Sequence, residues 1–265
     1  MRICILPRRS FITKKVSKEG KITGGYIRAP DERKRIMGIF DKFKKNKGGD
    51  KKIPMPMYLY DDAEINELDK YIAEKFGKFD NVFHELISPD VHLDVCMIPP
   101  TEDEPYQKLV TMGAGAYKMA IPDKWKEYDI DHAEYVIYVP KDWNIHSDDI
   151  KDYWPTKVLK DTARLPIWCD TWLTYGHSAQ ADEEGTPYAP NTGFNSVVLN
   201  YCEKNDDDVR IELSSGKVIT FYELVPLYPA ELKYKFDNGA NALFDLFNEK
   251  GIQFKVVDIN RPSAL

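Results

Sequence analysis

Cysteine is scarce in this chain of 265 residues. The four present, Cys4, Cys96, Cys169 and Cys202, stand far apart and form no C-x-x-C pair. That spacing signals neither a zinc site nor a thioredoxin-type redox motif, and reduced, buried packing is their expected role. Long apolar runs are also missing. No stretch nears the roughly 20 residues of a membrane helix, and the opening run Ile3–Leu6 is too short for a secretory leader. A cytoplasmic protein with no membrane partner is the expectation. Only five histidines occur, none in an H-E-x-x-H arrangement, and there is no G-x-S-x-G elbow or P-loop. The glycine pair Gly113-Ala114-Gly115-Ala116 lacks the third glycine of a dinucleotide fingerprint. A tight turn or a close backbone approach is its expected role. No cofactor is expected.

What the chain does have is material for a core. Hydrophobic residues make up 43% and aromatics 12%, which excludes wholesale disorder. The net charge of −6 conceals an asymmetry. Residues 1–52 carry 17 Lys and Arg against 5 Asp and Glu, whereas the other 213 carry 20 against 38. A basic front on an acidic body argues for two regions with different partners, or for one docking on the other. An acidic body argues against nucleic acid as the partner of the whole molecule.

The pattern along the chain mixes periods. In the front, Ser10–Thr13 and Ile22–Ile27 read as a hairpin, and Asp31 as the cap of a helix over 32–46. In the body, Ile65, Leu68, Ile72 and Phe76 stripe a helix over 62–77. Residues 91–97 alternate with period two: Val91, Leu93, Val95 and Met97 on one face, His92, Asp94 and Cys96 on the other. Strands are expected at 108–112, 134–139, 171–173, 196–199, 209–213, 218–224 and 254–257, with a hairpin turn at Ser214–Lys217. Trp154-Pro155 should open a helix over 155–165, and Asn238 should cap one over 240–250 that ends at Gly251. Trp154, Leu159, Trp172 and Phe221 are expected in the core. Strands and helices interleave without a regular βαβ beat, so the expected class is α+β, a central mixed sheet flanked by helices.

Two constellations could carry function. His84, His92, Asp94 and His177 are the residues a metal-dependent hydrolase would use, provided they converge. The other lies between 168 and 194, where Trp168, Asp170, Trp172, Tyr175, His177, Tyr188 and the acidic run Asp182-Glu183-Glu184 crowd what reads as one long loop. Long ordered loops tend to be functional, and Trp and Tyr are favoured interface anchors.

Several stretches together resemble the suppressor of fused domain family. They are 81–89 (NVFHELISP), 91–95 (VHLDV) with Ile98-Pro99-Pro100, Leu109–Gly113, Trp154-Pro155, Ala163–Pro166, Thr171–Leu173 with Gly176-His177, Asn191-Thr192, Phe221–Tyr228 and Asp258–Arg261. Their order and spacing cover 80–265. The resemblance implies a non-enzymatic domain that binds another protein. The animal member clasps an extended peptide between two domains, and only the first of those is expected here. Bacterial members that look like this chain carry the first domain alone and are taken to be immunity proteins that silence a toxin. The expected organisation is therefore a basic extension, 1–57, ahead of a suppressor-of-fused-like domain, 58–265. The expected partner is a cognate toxin, a basic nuclease among the candidates, since an acidic partner can cover a basic active site. Trp168, Asp170, Tyr175, His177, Asp182, Glu183, Glu184 and Tyr188 are its expected contacts.

Overall fold

Alternation with period two builds the centre of the molecule, because a strand buried on both faces feeds two separate cores. The computed structural model describes residues 3–5, 27–28, 57–84, 90–204 and 207–265. The expected hairpin over 10–27 and helix over 32–46 fall almost wholly outside these. The strands are β1 (Ile3–Ile5), β2 (Ile27–Arg28), β3 (Asn81–Phe83), β4 (Asp94–Ile98), β5 (Tyr106–Met112), β6 (His132–Pro140), β7 (Ser178–Gln180), β8 (Ser196–Tyr201), β9 (Glu203–Lys204), β10 (Asp207–Asp208), β11 (Arg210–Glu212) and β12 (Val218–Leu227). Ten form one mixed sheet in the order β1-β7-β8-β12-β6-β5-β4-β3-β2, with β11 on β12; β9 and β10 pair separately. The β12–β6 and β1–β7 pairs are parallel and the rest antiparallel.

Each central strand divides its side chains between the layers. Val95, Leu109, Tyr135, Ile137 and Leu224 join one apolar cluster, capped by helix α2 (Ile150–Cys169) through Trp154, Val158 and Leu159. Cys96, Val110, Val136, Tyr138 and Phe221 join the other, capped by α1 (Asp62–Lys75) through Ile65, Leu68 and Ile72. Asp61 starts α1 with a capping box. Its carboxylate accepts from the Ala63 and Glu64 amides, and the Glu64 side chain accepts from the Asp61 amide. A third cluster lies under α3 (Pro229–Asn238) and α4 (Ala240–Glu249), where Leu232, Leu243 and Phe247 meet Val198, Val225 and Leu227.

Several expectations need correction. Helix α2 begins at Ile150, capped by Asp149, so Pro155 lies inside it rather than in its first turn. Pro155 offers no N–H to the Lys151 carbonyl, and the Asn191 side-chain amide fills that gap at 3.1 Å. Residues 171–173 form no strand. Residues 254–257 form only a bridge, Val256 to Tyr138. Helix α3 was not expected; Asn238 is its last residue, and Gly239 rather than Asn238 caps α4. Trp154, Leu159 and Phe221 are fully buried, whereas Trp172 is only half-buried at the rim of the first cluster. Cys96 and Cys202 are buried and Cys169 is exposed, all with free thiols.

Gly113 and Gly115 serve the interior. The Gly113 and Gly115 amides donate to Glu134 Oε1 at 2.8 and 3.0 Å. Tyr60 Oη (3.0 Å) and Thr111 Oγ1 (2.6 Å) complete the shell of this fully buried carboxylate. Burial pushes its pKa up against those hydrogen bonds. Amides already engaged in this way are not offered to a phosphate, and the close-approach expectation holds. A Cβ at Gly113 would lie 1.9 Å from the His92 carbonyl oxygen, on a backbone with φ +132°.

Candidate functional site

The segment from 168 to 194 is more structured than one long loop. It begins with the last two residues of α2, and it contains β7, paired on both sides by β1 and β8. Asp170 takes the left-handed conformation (φ 45°) that turns the chain out of α2, a conformation Asp tolerates better than most residues. Trp168 Nε1 donates to Asp90 Oδ2 at 3.0 Å, beside Arg164 Nε, 3.4 Å from Oδ1 of the same carboxylate. The Tyr175 ring stacks on Tyr201 at 4.8 Å, and its hydroxyl donates to Asn241 at 2.6 Å. Tyr188 stacks on the buried Trp154 at 5.6 Å. Asp182 closes a turn by accepting from the Thr186 amide, while Glu183 and Glu184 are exposed. The rings thus fasten the segment to the body, and its acidic tip faces solvent.

Trp172 and His177 lie in edge contact, 4.6 Å between ring centroids, and His177 Nδ1 donates to the Trp172 carbonyl. Burial pulls the His177 pKa down. The hydrogen bond opposes that shift, and the nearby Lys235 charge reinforces it. The Trp172 ring leads outward to residues that the sequence pattern did not single out. A 3-10 turn over Asp123–Tyr128 places Trp125 6.5 Å from Trp172 and Tyr128 5.6 Å from Trp125. Trp125 is 38% exposed and Tyr128 51%, two of the few large hydrophobic side chains that the described residues leave in solvent. Tyr128, Trp125, Trp172 and His177 form one continuous aromatic row from surface to rim. The available signal was a pair of aromatics three apart in a charged run, Lys124-Trp125-Lys126-Glu127-Tyr128-Asp129, too short to show a patterned inner face.

Of the hydrolase residues, three meet. Asp94 Oδ1 lies 3.0 Å from His84 Nδ1 and 3.4 Å from His92 Nε2. Asp94 is almost wholly buried, which alone would raise its pKa, but the two imidazoles outweigh burial and hold it below its ordinary value. Both rings aim at the same carboxylate oxygen. Among the described residues no group of three or more His, Cys, Asp or Glu is placed to hold a metal ion. His177 is distant: β8, β12, β6 and β5 stand between its neighbour β7 and β4.

Residues 89–262 match the family described as Suppressor of fused protein. The chain belongs to that family. A relative from Ureaplasma parvum serovar 3, an uncharacterized protein, is 22% identical over 216 residues, covering 78% of this chain and 98% of its own. The crystal structure of a suppressor of fused homologue from Neisseria gonorrhoeae has 17% identity and a TM-score of 0.51, covering 78% of this chain and 97% of that one. The Sufu-Fu complex structure is more distant, with 11% identity and a TM-score of 0.45, covering 86% and 91%. The suppressor of fused fold is thus the mixed sheet with flanking helices described above. Among the described residues no helix is long and apolar enough to cross a membrane.

Proposed function

We propose that this suppressor of fused domain is a non-enzymatic protein-binding module, an immunity-type protein that binds and silences a toxin. The observation that carries the reading is the aromatic row Tyr128–Trp125–Trp172, whose outer rings stand in solvent. Exposed Trp and Tyr are costly to leave in water and are the residues that dominate interface energy. The acidic tip Asp182-Glu183-Glu184 follows β7 at the Leu227 end of β12, whereas Trp125 and Tyr128 precede β6 at the Ile219 end; the tip is a separate charged patch that favours a basic partner and speeds its encounter. Trp168, Asp170, Tyr175 and His177 then shape the surface, Trp125 and Tyr128 anchor the partner, and Tyr188, stacked on Trp154 towards the other end of the sheet, fixes the segment that carries the acidic tip.

The test is growth rescue together with affinity. The chain is co-expressed with whatever toxin domain a neighbouring gene encodes, and their binding is measured by surface plasmon resonance. Wild type should protect. Trp125→Ala with Tyr128→Ala should weaken binding by about 2–4 kcal/mol, mainly through faster dissociation, with melting temperature unchanged. Charge removal at Glu183 and Glu184 should instead slow association. Full protection by the aromatic double variant would refute this surface. No protection by wild type would refute the immunity reading.

A further inference from the structure

A second concave surface lies on another part of the molecule. The β6–α2 connection and the segment 253–260 enclose a cleft of about 490 Å³. Trp143, Val257 and Ile259 are its apolar lining residues, and Asp142, Asp152 and Asp258 are its acidic ones. The walls are built rather than incidental. Gln107 Nε2 donates to the Pro140, Lys141 and Trp143 carbonyls at 3.1, 3.2 and 2.7 Å, fixing the start of the connection. Trp143 Nε1 donates to the Asp152 carbonyl at 2.8 Å, which ties that connection to α2. The Val257 amide donates to Tyr138 O at 2.9 Å, which ties the opposite wall to β6.

The charge is one-sided. No lining residue is cationic. Among the described residues, none of the three carboxylates takes part in an ion pair. A cleft lined by Trp143 and by three acidic residues outside any ion pair among the described residues suits a cation that carries apolar surface. A guanidinium fits best, because it hydrogen-bonds carboxylates, is weakly hydrated and packs against aromatic rings. We propose that this cleft docks a basic, arginine-bearing extended segment of a partner protein. The site is separate from the aromatic row, and the proposal stands or falls independently of it.

The probe is an acetylated, amidated Arg-Leu-Arg-Leu-Arg peptide, titrated calorimetrically into the full chain at about 50 mM salt, where surface pairing is least screened. Binding should be one-to-one. The triple variant Asp142→Asn, Asp152→Asn and Asp258→Asn keeps shape and hydrogen-bond acceptors, including the one Asp258 offers to the Asn260 amide. It should lose about tenfold in affinity from three surface pairs, with an unchanged melting temperature. Glu183→Gln with Glu184→Gln, which removes acidity elsewhere, should change affinity less than about twofold. Equal losses in the two variants would make the binding a response to overall acidity and overturn the proposal. So would absence of binding to wild type. Calcium bound by wild type but not by the triple variant, with no peptide binding, would make the cleft a cation site instead and overturn it as well.

Discussion

Lys235 offers a direct test of how burial sets charge in this fold. It lies on α3 on the same face as Leu232 and Glu231, is wholly buried, and its Nζ has no hydrogen-bond partner. The Phe236 ring centroid lies 4.9 Å from Nζ. Burial penalises the ammonium form and brings the pKa down to about 8. The unfolded chain keeps the ordinary value of about 10.4. Between these values the unfolded chain binds more protons than the folded one, so this residue makes stability rise with pH over that window. Below about pH 8 both states are protonated, and the whole penalty is present. At about 1.4 kcal/mol per unit, the gap amounts to roughly 3 kcal/mol.

Lys235→Met removes the charge while keeping a flexible apolar stem. At neutral pH the variant should be more stable than wild type by up to about 3 kcal/mol. The gain should shrink by at most about 1.4 kcal/mol per unit as pH rises from 8 towards 10.5. Urea denaturation of the two proteins at matched pH measures this. Taking their difference cancels the titration of Tyr60, Tyr138 and Tyr188, whose raised pKa values in the fold make stability fall with pH in both proteins alike. The His177 titration, followed by NMR, should also move up once the Lys235 charge is gone. A stability difference that stays constant from pH 7 to pH 10 would show that the ammonium is satisfied in the fold, and the reasoning from burial would fail.

Three further outcomes follow from the packing. Arg261→Ala should cost about 3–5 kcal/mol in urea denaturation. It strips the fully buried Glu231 of two 2.7 Å contacts and removes a guanidinium packed within 4.9 Å of Phe194 and Tyr228; a loss under about 1 kcal/mol would contradict the pairing. Gly113→Ala should lower the melting temperature far more than Gly216→Ala. Both have positive φ, but a Cβ meets the His92 carbonyl at the first and nothing within 4 Å at the second. Trp154→Ala should cost about 3–5 kcal/mol and Trp172→Ala clearly less, because only Trp154 is fully buried; equal losses by calorimetry would place Trp172 in the core after all.

Much of the sheet was legible because its strands obey a rule that needs no tertiary knowledge. Val91, Leu93, Val95 and Met97 share one cluster and Cys96 the other, as alternation requires. The α1 stripe was legible for the same reason. The failures share a cause too. Helix α3 buries Glu231 and Lys235 beside a single leucine. No reading based on apolar period finds a helix whose inner face is charged, and Arg261, the partner that makes Glu231 tolerable there, lies 30 residues on. Pro155 misled because its missing hydrogen bond is made good by Asn191, again from a distant stretch.

The candidate surface shows the same limit from the other side. Aromatic crowding in what reads as one long loop drew attention to Trp172, Tyr175 and Tyr188, and the fold uses the rings of Tyr175 and Tyr188 to hold the segment down. Trp125 and Tyr128 stand three apart, but a six-residue turn in a charged run buries neither and is too short to reveal an inner face. On the proposed reading, an aromatic left exposed in a short charged turn is the better signal for a contact residue than an aromatic within a crowded segment. The difference in free energy explains why. A ring already stacked on Trp154 or Tyr201 gains little from a partner. A ring half in water still has apolar surface to bury, at about 25 cal/mol per Å². If partner binding survives loss of Trp125 and Tyr128 but not loss of Tyr175, with both variants folded, this ordering of the two signals is wrong.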